Sequence, residues 1–167
     1  HVHRPGVYEY PLGTPLAALL EAAGGVVGAL KAVIVGGLSV PILTAREADG
    51  LLMGYDSCLK KGTMLGSGGI MVMNATTSIP AVALRAIRFY AHESCGQCTP
   101  CRQGSHAVAT LLERLAAGRG DRSDIDLILD LCSRIKGTTL CPTGVAFSIP
   151  IETMIRKFRG EFEALVR

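Results

Sequence analysis

The chain has 167 residues, 49% hydrophobic and 19% charged, enough apolar material for one ordinary domain or two small ones and too much for intrinsic disorder. A formal net charge of only +3, with no Trp and 5% aromatics, lacks the basic, aromatic-bearing face of a nucleic-acid binder, so no nucleic-acid partner is expected. The longest uncharged stretch, Gly62 to Leu84, holds Ser67, Asn74, Thr76, Thr77, Ser78 and Pro80, and the apolar run from Val26 to Leu43 is broken by Lys31 and three Gly. Neither reads as a membrane span, so no direct membrane insertion is expected. No signal peptide opens the chain, and a start at His1 instead of Met suggests a fragment or a processed chain, soluble and intracellular.

Residues 1 to about 78 hold most of the 20 Gly and show short apolar runs between turn signals. Gly6–Tyr10, Ala32–Val35 and Ile70–Met73 read as short strands. One helix interrupts them: Thr14 as cap, Pro15 at the first helical position, Leu16, Leu19, Leu20 and Ala23 on one face, and Gly24 at the end. Short strands around a single helix predict a small α+β unit of β-grasp type.

From Ser78 the apolar spacing turns helical. Ser78 and Pro80 open a first helix with Ala83, Leu84, Ile87 and Tyr90 or Ala91 on its apolar face, ending at a cysteine-rich turn. A second follows Gly104, presenting Ala107, Val108, Leu111, Leu112 and Leu115, with Gly118 beyond it. Ser123 with Asp126 caps a third, whose face is Ile125, Ile128, Leu129, Cys132 and Ile135 and whose stop is Gly137. A fourth runs roughly from Pro150 to Leu165. Four amphipathic helices with short connections predict a compact bundle over residues 79–167, following a β-grasp domain over 1–78.

Chemistry concentrates in the cysteines. Cys95, Cys98 and Cys101 form C-x2-C-x2-C on a turn between two helices, and three thiols in seven residues cannot all pair with one another. With Cys141, followed by Pro142 on another interhelical loop, they match a recurring layout for a [4Fe–4S] cluster, the leading reading. Zinc is the first alternative, although it prefers two ligand pairs and the second is absent. Redox or structural thiols are the other, weakened by the missing secretory signal and by the missing βαβ context for Cys98-Thr-Pro-Cys101. Cys132 lies on an apolar stripe and reads as a small buried hydrophobe; Cys58, outside the helical half, reads as a free, partly buried thiol. His92 and His106 flank the turn with surface or supporting roles. Arg102 either offsets thiolate charge or pairs with Glu93. Gly66–Gly69 fits no phosphate-loop pattern and reads as a turn, and Arg156, Lys157 and Arg159 against Glu161 and Glu163 read as a solvated face. No nucleophile–base constellation is visible.

Glu93-Ser-Cys-Gly-Gln-Cys-Thr-Pro-Cys-Arg-Gln-Gly104 followed by Ile135-Lys-Gly-Thr-Thr-Leu-Cys141 closely resembles the signature of the family of flavin-carrying, NADH-oxidising subunits of NADH:quinone oxidoreductase, respiratory complex I. Upstream, Gly13-Thr-Pro-Leu16, Ala32–Pro41 and Met64–Asn74 look like that family's soluble-ligand-binding β-grasp (SLBB) domain, so the resemblance covers nearly the whole chain. It implies that Cys95, Cys98, Cys101 and Cys141 bind one [4Fe–4S] cluster that takes electrons from reduced flavin. It further implies that FMN and NADH belong to an upstream domain and are not bound by this chain alone, which then represents the C-terminal portion of an NADH dehydrogenase subunit without activity of its own. The implied partners are that flavin/NADH domain and neighbouring iron–sulfur subunits, in the cytoplasmic, peripheral arm of a membrane-associated complex. The same architecture belongs to diaphorase subunits of NAD-reducing hydrogenases and to some NAD-dependent formate dehydrogenases; a non-enzymatic, metal-stabilised binding module is the remaining alternative. Two departures touch the cluster surroundings: Pro142-Thr143-Gly144-Val145 stands where the family pattern has Leu-Gly-Asp, and Asn74 where Asp is more common.

Overall fold

A computed structural model describes residues 1–166 and divides into two compact units, residues 1–77 and residues 78 onward, mixing helix and sheet. In the first unit, β1 (Leu30–Val35) is the middle of a three-stranded antiparallel sheet, between β2 (Leu43–Thr44) and β3 (Ile70–Asn74). Val33 pairs with Leu43 on one side and Val72 on the other. β-Branched residues suit this central position, and Ala32, Val33, Ile34 and Val35 are all fully buried. Leu16 at the start of α1 (Leu16–Ala22), Leu51 and Cys58 of α3 (Tyr55–Lys60) pack with Val33 and Val35, with Leu19 and Leu20 at the margin.

Several local expectations change. Gly6–Tyr10 forms no strand: both edges of β1 are taken by β2 and β3, and the segment is exposed, Val7 completely so. It is tied down by the Arg4 N–H to Ala23 O and by Tyr8 Oη donating to Arg4 O. Thr14 does not cap α1, because its hydroxyl donates to Pro11 O at 2.7 Å; Pro15 takes the cap position. Besides α1 the unit contains α2 (Ala45–Ala48) and α3, too short to show periodicity; α2 is fixed by a reciprocal Thr44–Glu47 capping box. The Gly66–Gly69 run is the expected turn. Gly36 (φ +97°) and Gly66 (φ +48°) cross so closely that a Cβ on Gly66 would lie 2.1 Å from Gly36 O.

In the second unit α4 (Ile79–Glu93), α5 (Thr99–Ala116), α6 (Arg122–Ile135) and α7 (Thr143–Lys157) pack in a closed circuit, α4 on α5, α5 on α6, α6 on α7 and α7 on α4, with α8 (Arg159–Glu163) after them. Ile87, Leu112, Leu115, Ile125, Ile128, Phe147 and Ile151 fill the interior. Each such side chain contributes about 1.5–3 kcal/mol through removal from water. α4 starts as expected, Ser78 Oγ accepting the Ala81 N–H.

The other three helices start earlier than their sequence signals suggest. α5 begins at Thr99 because Thr99-Pro100 suits a first turn, and Gly104 lies inside the helix. α6 is capped by Asp121 with Asp124, two residues ahead of Ser123 and Asp126. α7 begins at Thr143 and runs through Pro150, whose missing N–H and ring contact with the preceding turn are outweighed by the burial of Phe147, Ile151, Met154 and Ile155.

Candidate metal centre

Two loops define the site. The first leaves α4 at Ser94, turns through Gly96 (φ +79°) and enters α5 with Cys98 as its N-cap. Cys95 is therefore exposed on the turn, Cys98 half-buried at the cap, and Cys101 buried in the first helical turn instead of on the loop. The second leaves α6 through Gly137 (φ +79°) and reaches α7 just after Cys141, which is exposed and precedes the Pro142 cap.

These loops meet although far apart in sequence: the Leu140 N–H donates to Cys98 Sγ at 3.4 Å. Thr139 Oγ1 donates to the Cys141 carbonyl at 2.8 Å and shapes the approach. Both α5 and α7 thus begin beside a candidate ligand. Their unsatisfied N–H groups and positive dipole ends favour anionic sulfur. Cys141 Sγ lies 3.3 Å from Thr143 Oγ1, and donation to the thiolate by the Thr143 side chain and then its backbone holds this thiol below its usual pKa.

The supporting residues also have definite partners. Ser94 Oγ lies 3.4 Å from Cys101 Sγ and accepts the Gly96 N–H at 3.4 Å, while Arg102 donates to the Gly96 carbonyl. Arg102 consequently braces the turn, and Glu93 pairs with His92 at 3.0 Å. His92 and His106 are exposed. Sequence reading alone does not single out Ser94, Thr139 or Thr143; the only signal is a hydroxyl within two residues of a cysteine, or, for Ser94, directly before one.

All six cysteines are free thiols. Cys132 is fully buried, and burial, reinforced by Glu152, pushes its thiol up to about 12, so it behaves as core. Cys58 is completely, not partly, buried, and burial raises its thiol against the opposing Gly54 backbone hydrogen bond. Among the described residues no three His, Cys, Asp or Glu side chains close around a single ion. A four-iron cube makes a wider demand, one thiolate at each of four metal corners. The donor set present, three unpaired thiols from the α4–α5 turn into the first turn of α5 and a fourth on the α6–α7 loop, with an amide–sulfur hydrogen bond joining the two segments, fits that demand.

Comparison with known proteins agrees with this chemistry. The model of the NADH-ubiquinone oxidoreductase-F iron–sulfur binding region matches residues 81–165, and that of the SLBB domain matches residues 1–43. Over its whole length the chain is 42% identical to the F-type subunit of NADH-quinone oxidoreductase of Rickettsia bellii and 39% identical to the mitochondrial 51 kDa subunit of NADH-ubiquinone oxidoreductase of Neurospora crassa. It spans 41% and 35% of those two proteins. Its fold is similar to 28% of a chain of an NAD+-reducing [NiFe]-hydrogenase in the H2-reduced state, with a TM-score of 0.87 and 30% identity over 99% of the present chain. No helix among the described residues is long and apolar enough to cross a membrane. With half of its length matched, the chain belongs to the NADH-ubiquinone oxidoreductase-F iron–sulfur binding family.

Proposed function

We propose that this chain is the electron-transfer portion of an NADH dehydrogenase subunit and holds one [4Fe–4S] cluster on Cys95, Cys98, Cys101 and Cys141. The observation that carries the reading is the Leu140 amide on Cys98 Sγ, which draws the two cysteine loops together. When bound, the cluster supplies one-electron transfer between a two-electron flavin in an upstream FMN- and NADH-binding domain and the next centre in a neighbouring iron–sulfur subunit. Residues 1–78 then form a β-grasp domain and residues 79–167 a four-helix bundle, in the cytoplasmic peripheral arm of a membrane-associated complex.

The chain's own contribution is positional. Cys101 anchors the centre from its buried side, Cys95 and Cys141 from its exposed side, and the starts of α5 and α7 stabilise the thiolates. The turn around Gly96 is braced by Ser94 and Arg102. The fold similarity to the NAD+-reducing hydrogenase supports one second reading, a diaphorase-type parent with the same local chemistry.

Iron, acid-labile sulfide and zinc in the anaerobically purified chain test the proposal. About four iron and four sulfide per chain are expected, falling to near zero in Cys95→Ala and Cys141→Ala and unchanged in Cys132→Ala. One zinc without sulfide would overturn the cluster assignment, and full cluster content in Cys141→Ala would overturn the ligand set.

A further inference from the structure

A hydroxyl aimed at a ligating sulfur changes more than local order. Ser94 closes α4, and its Oγ is 3.4 Å from the Sγ of Cys101, the buried member of the cysteine triplet. The same Oγ accepts the Gly96 N–H at 3.4 Å, and once Cys101 is the thiolate that a cluster requires, only the hydroxyl has a hydrogen to give, so the bond runs from Ser94 to the sulfur. Arg102 ties the following peptide by donating to the Gly96 carbonyl. The peptides on both sides of Gly96 are thus held, one by Ser94 and one by Arg102, which keeps the turn and the hydroxyl at Cys101.

We propose that Ser94 is a positioning residue that sets the reduction potential of the centre by donating an O–H···S hydrogen bond to Cys101. This rests on the cluster assignment above and goes beyond it. Reduction adds one electron, and part of the added negative charge appears on the ligating sulfurs. A donor to one of them stabilises the reduced state more than the oxidised state and moves the potential upward. Cys101 is only 6% exposed, so water competes poorly for this bond and its electrostatic effect is little screened. The analogous hydroxyl at Thr143 lies beside exposed Cys141, where solvent already supplies donors.

The test is an anaerobic, EPR-monitored redox titration of the cluster-loaded full chain, with dithionite as reductant, after iron and sulfide have been counted in each sample. Ser94→Ala is expected to keep about four iron and four sulfide and to titrate at a more negative midpoint than the unaltered chain. Ser94→Thr keeps the hydroxyl and is expected to titrate at the unaltered midpoint. A loaded Ser94→Ala chain with an unchanged midpoint overturns the proposal while leaving the cluster assignment standing. Should Ser94→Ala not load, Ser94→Thr decides: an unaltered midpoint supports the proposal, and a displaced midpoint or failure to load overturns it. An unaltered chain without iron and sulfide overturns the cluster assignment first, and the role of Ser94 with it.

Discussion

Glu152 of α7 accepts from two cations at once, Lys136 at the end of α6 and Arg156 one turn further along α7, the latter at 3.0 Å. Burial alone raises this carboxyl, but the hydrogen bonds from Lys136 and Arg156 outweigh it and hold the group below the usual carboxylate range. Because the folded value is the depressed one, Glu152 stabilises the fold fully above the unfolded value of about 4.3 and loses that contribution as pH falls through the lower folded value. Thermal melts between about pH 6 and pH 3 should therefore show less acid sensitivity in Glu152→Gln. At neutral pH that variant should be about 1–2 kcal/mol less stable, since Lys136 keeps a half-buried charge without its partner. Identical acid dependence in the two proteins would contradict this assignment. The pair spans the loop that holds Cys141, so the same melts also report how firmly that loop's ends are tied.

Glycines at helix contacts decide how closely the elements that bear the cysteines approach. A Cβ on Gly104 of α5 would lie 2.4 Å from Ile135 Cδ1, and one on Gly144 of α7 would lie 2.8 Å from Thr139 Cγ2 and 3.0 Å from Ile135 Cγ2. Gly104→Ala gains up to about 1 kcal/mol of helix propensity and loses about 1–3 kcal/mol to overpacking, so denaturant unfolding should show a net loss. Gly144→Ala displaces Thr139, whose hydroxyl holds the Cys141 carbonyl, and should reduce iron content as well as stability; full loading in that variant would show that the loop tolerates the displacement. Gly104 also explains why the start of α5 is hard to read from sequence. A glycine looks like a helix boundary in a pattern, but here its role is to admit Ile135, a contact that no local pattern encodes. Pro150 misleads in the same way, its ring tolerated in the middle of the span Thr143–Lys157. Ser78 at the start of α4 is legible because capping is local chemistry. The four candidate ligands are legible through their spacing, whereas Ser94 becomes visible only once the Gly96 turn has brought its hydroxyl to Cys101.

At the scale of the molecule, the two units have separate cores, one around Val33, Val35 and Cys58, the other among α4, α5, α6 and α7, and all four proposed ligands belong to the second. A cluster joining Cys101 to Cys141 closes a loop of about 40 residues that contains most of α5 and all of α6. By the chain-entropy argument for cross-links, closing such a loop is worth about 4 kcal/mol against the unfolded chain, which for a unit of this size corresponds to about 16–32 °C in Tm. Removing iron anaerobically should therefore loosen the second unit and leave the first almost unchanged. Hydrogen exchange at the Phe147 amide, deep in the helical core, should accelerate on iron removal. Exchange at the Val35 amide, in the central strand, should keep its rate. If both amides accelerate together, the units unfold as one and the cluster stabilises the whole chain. If neither changes, the helices hold the cysteine loops without any metal, and the thiols are positioned by packing alone.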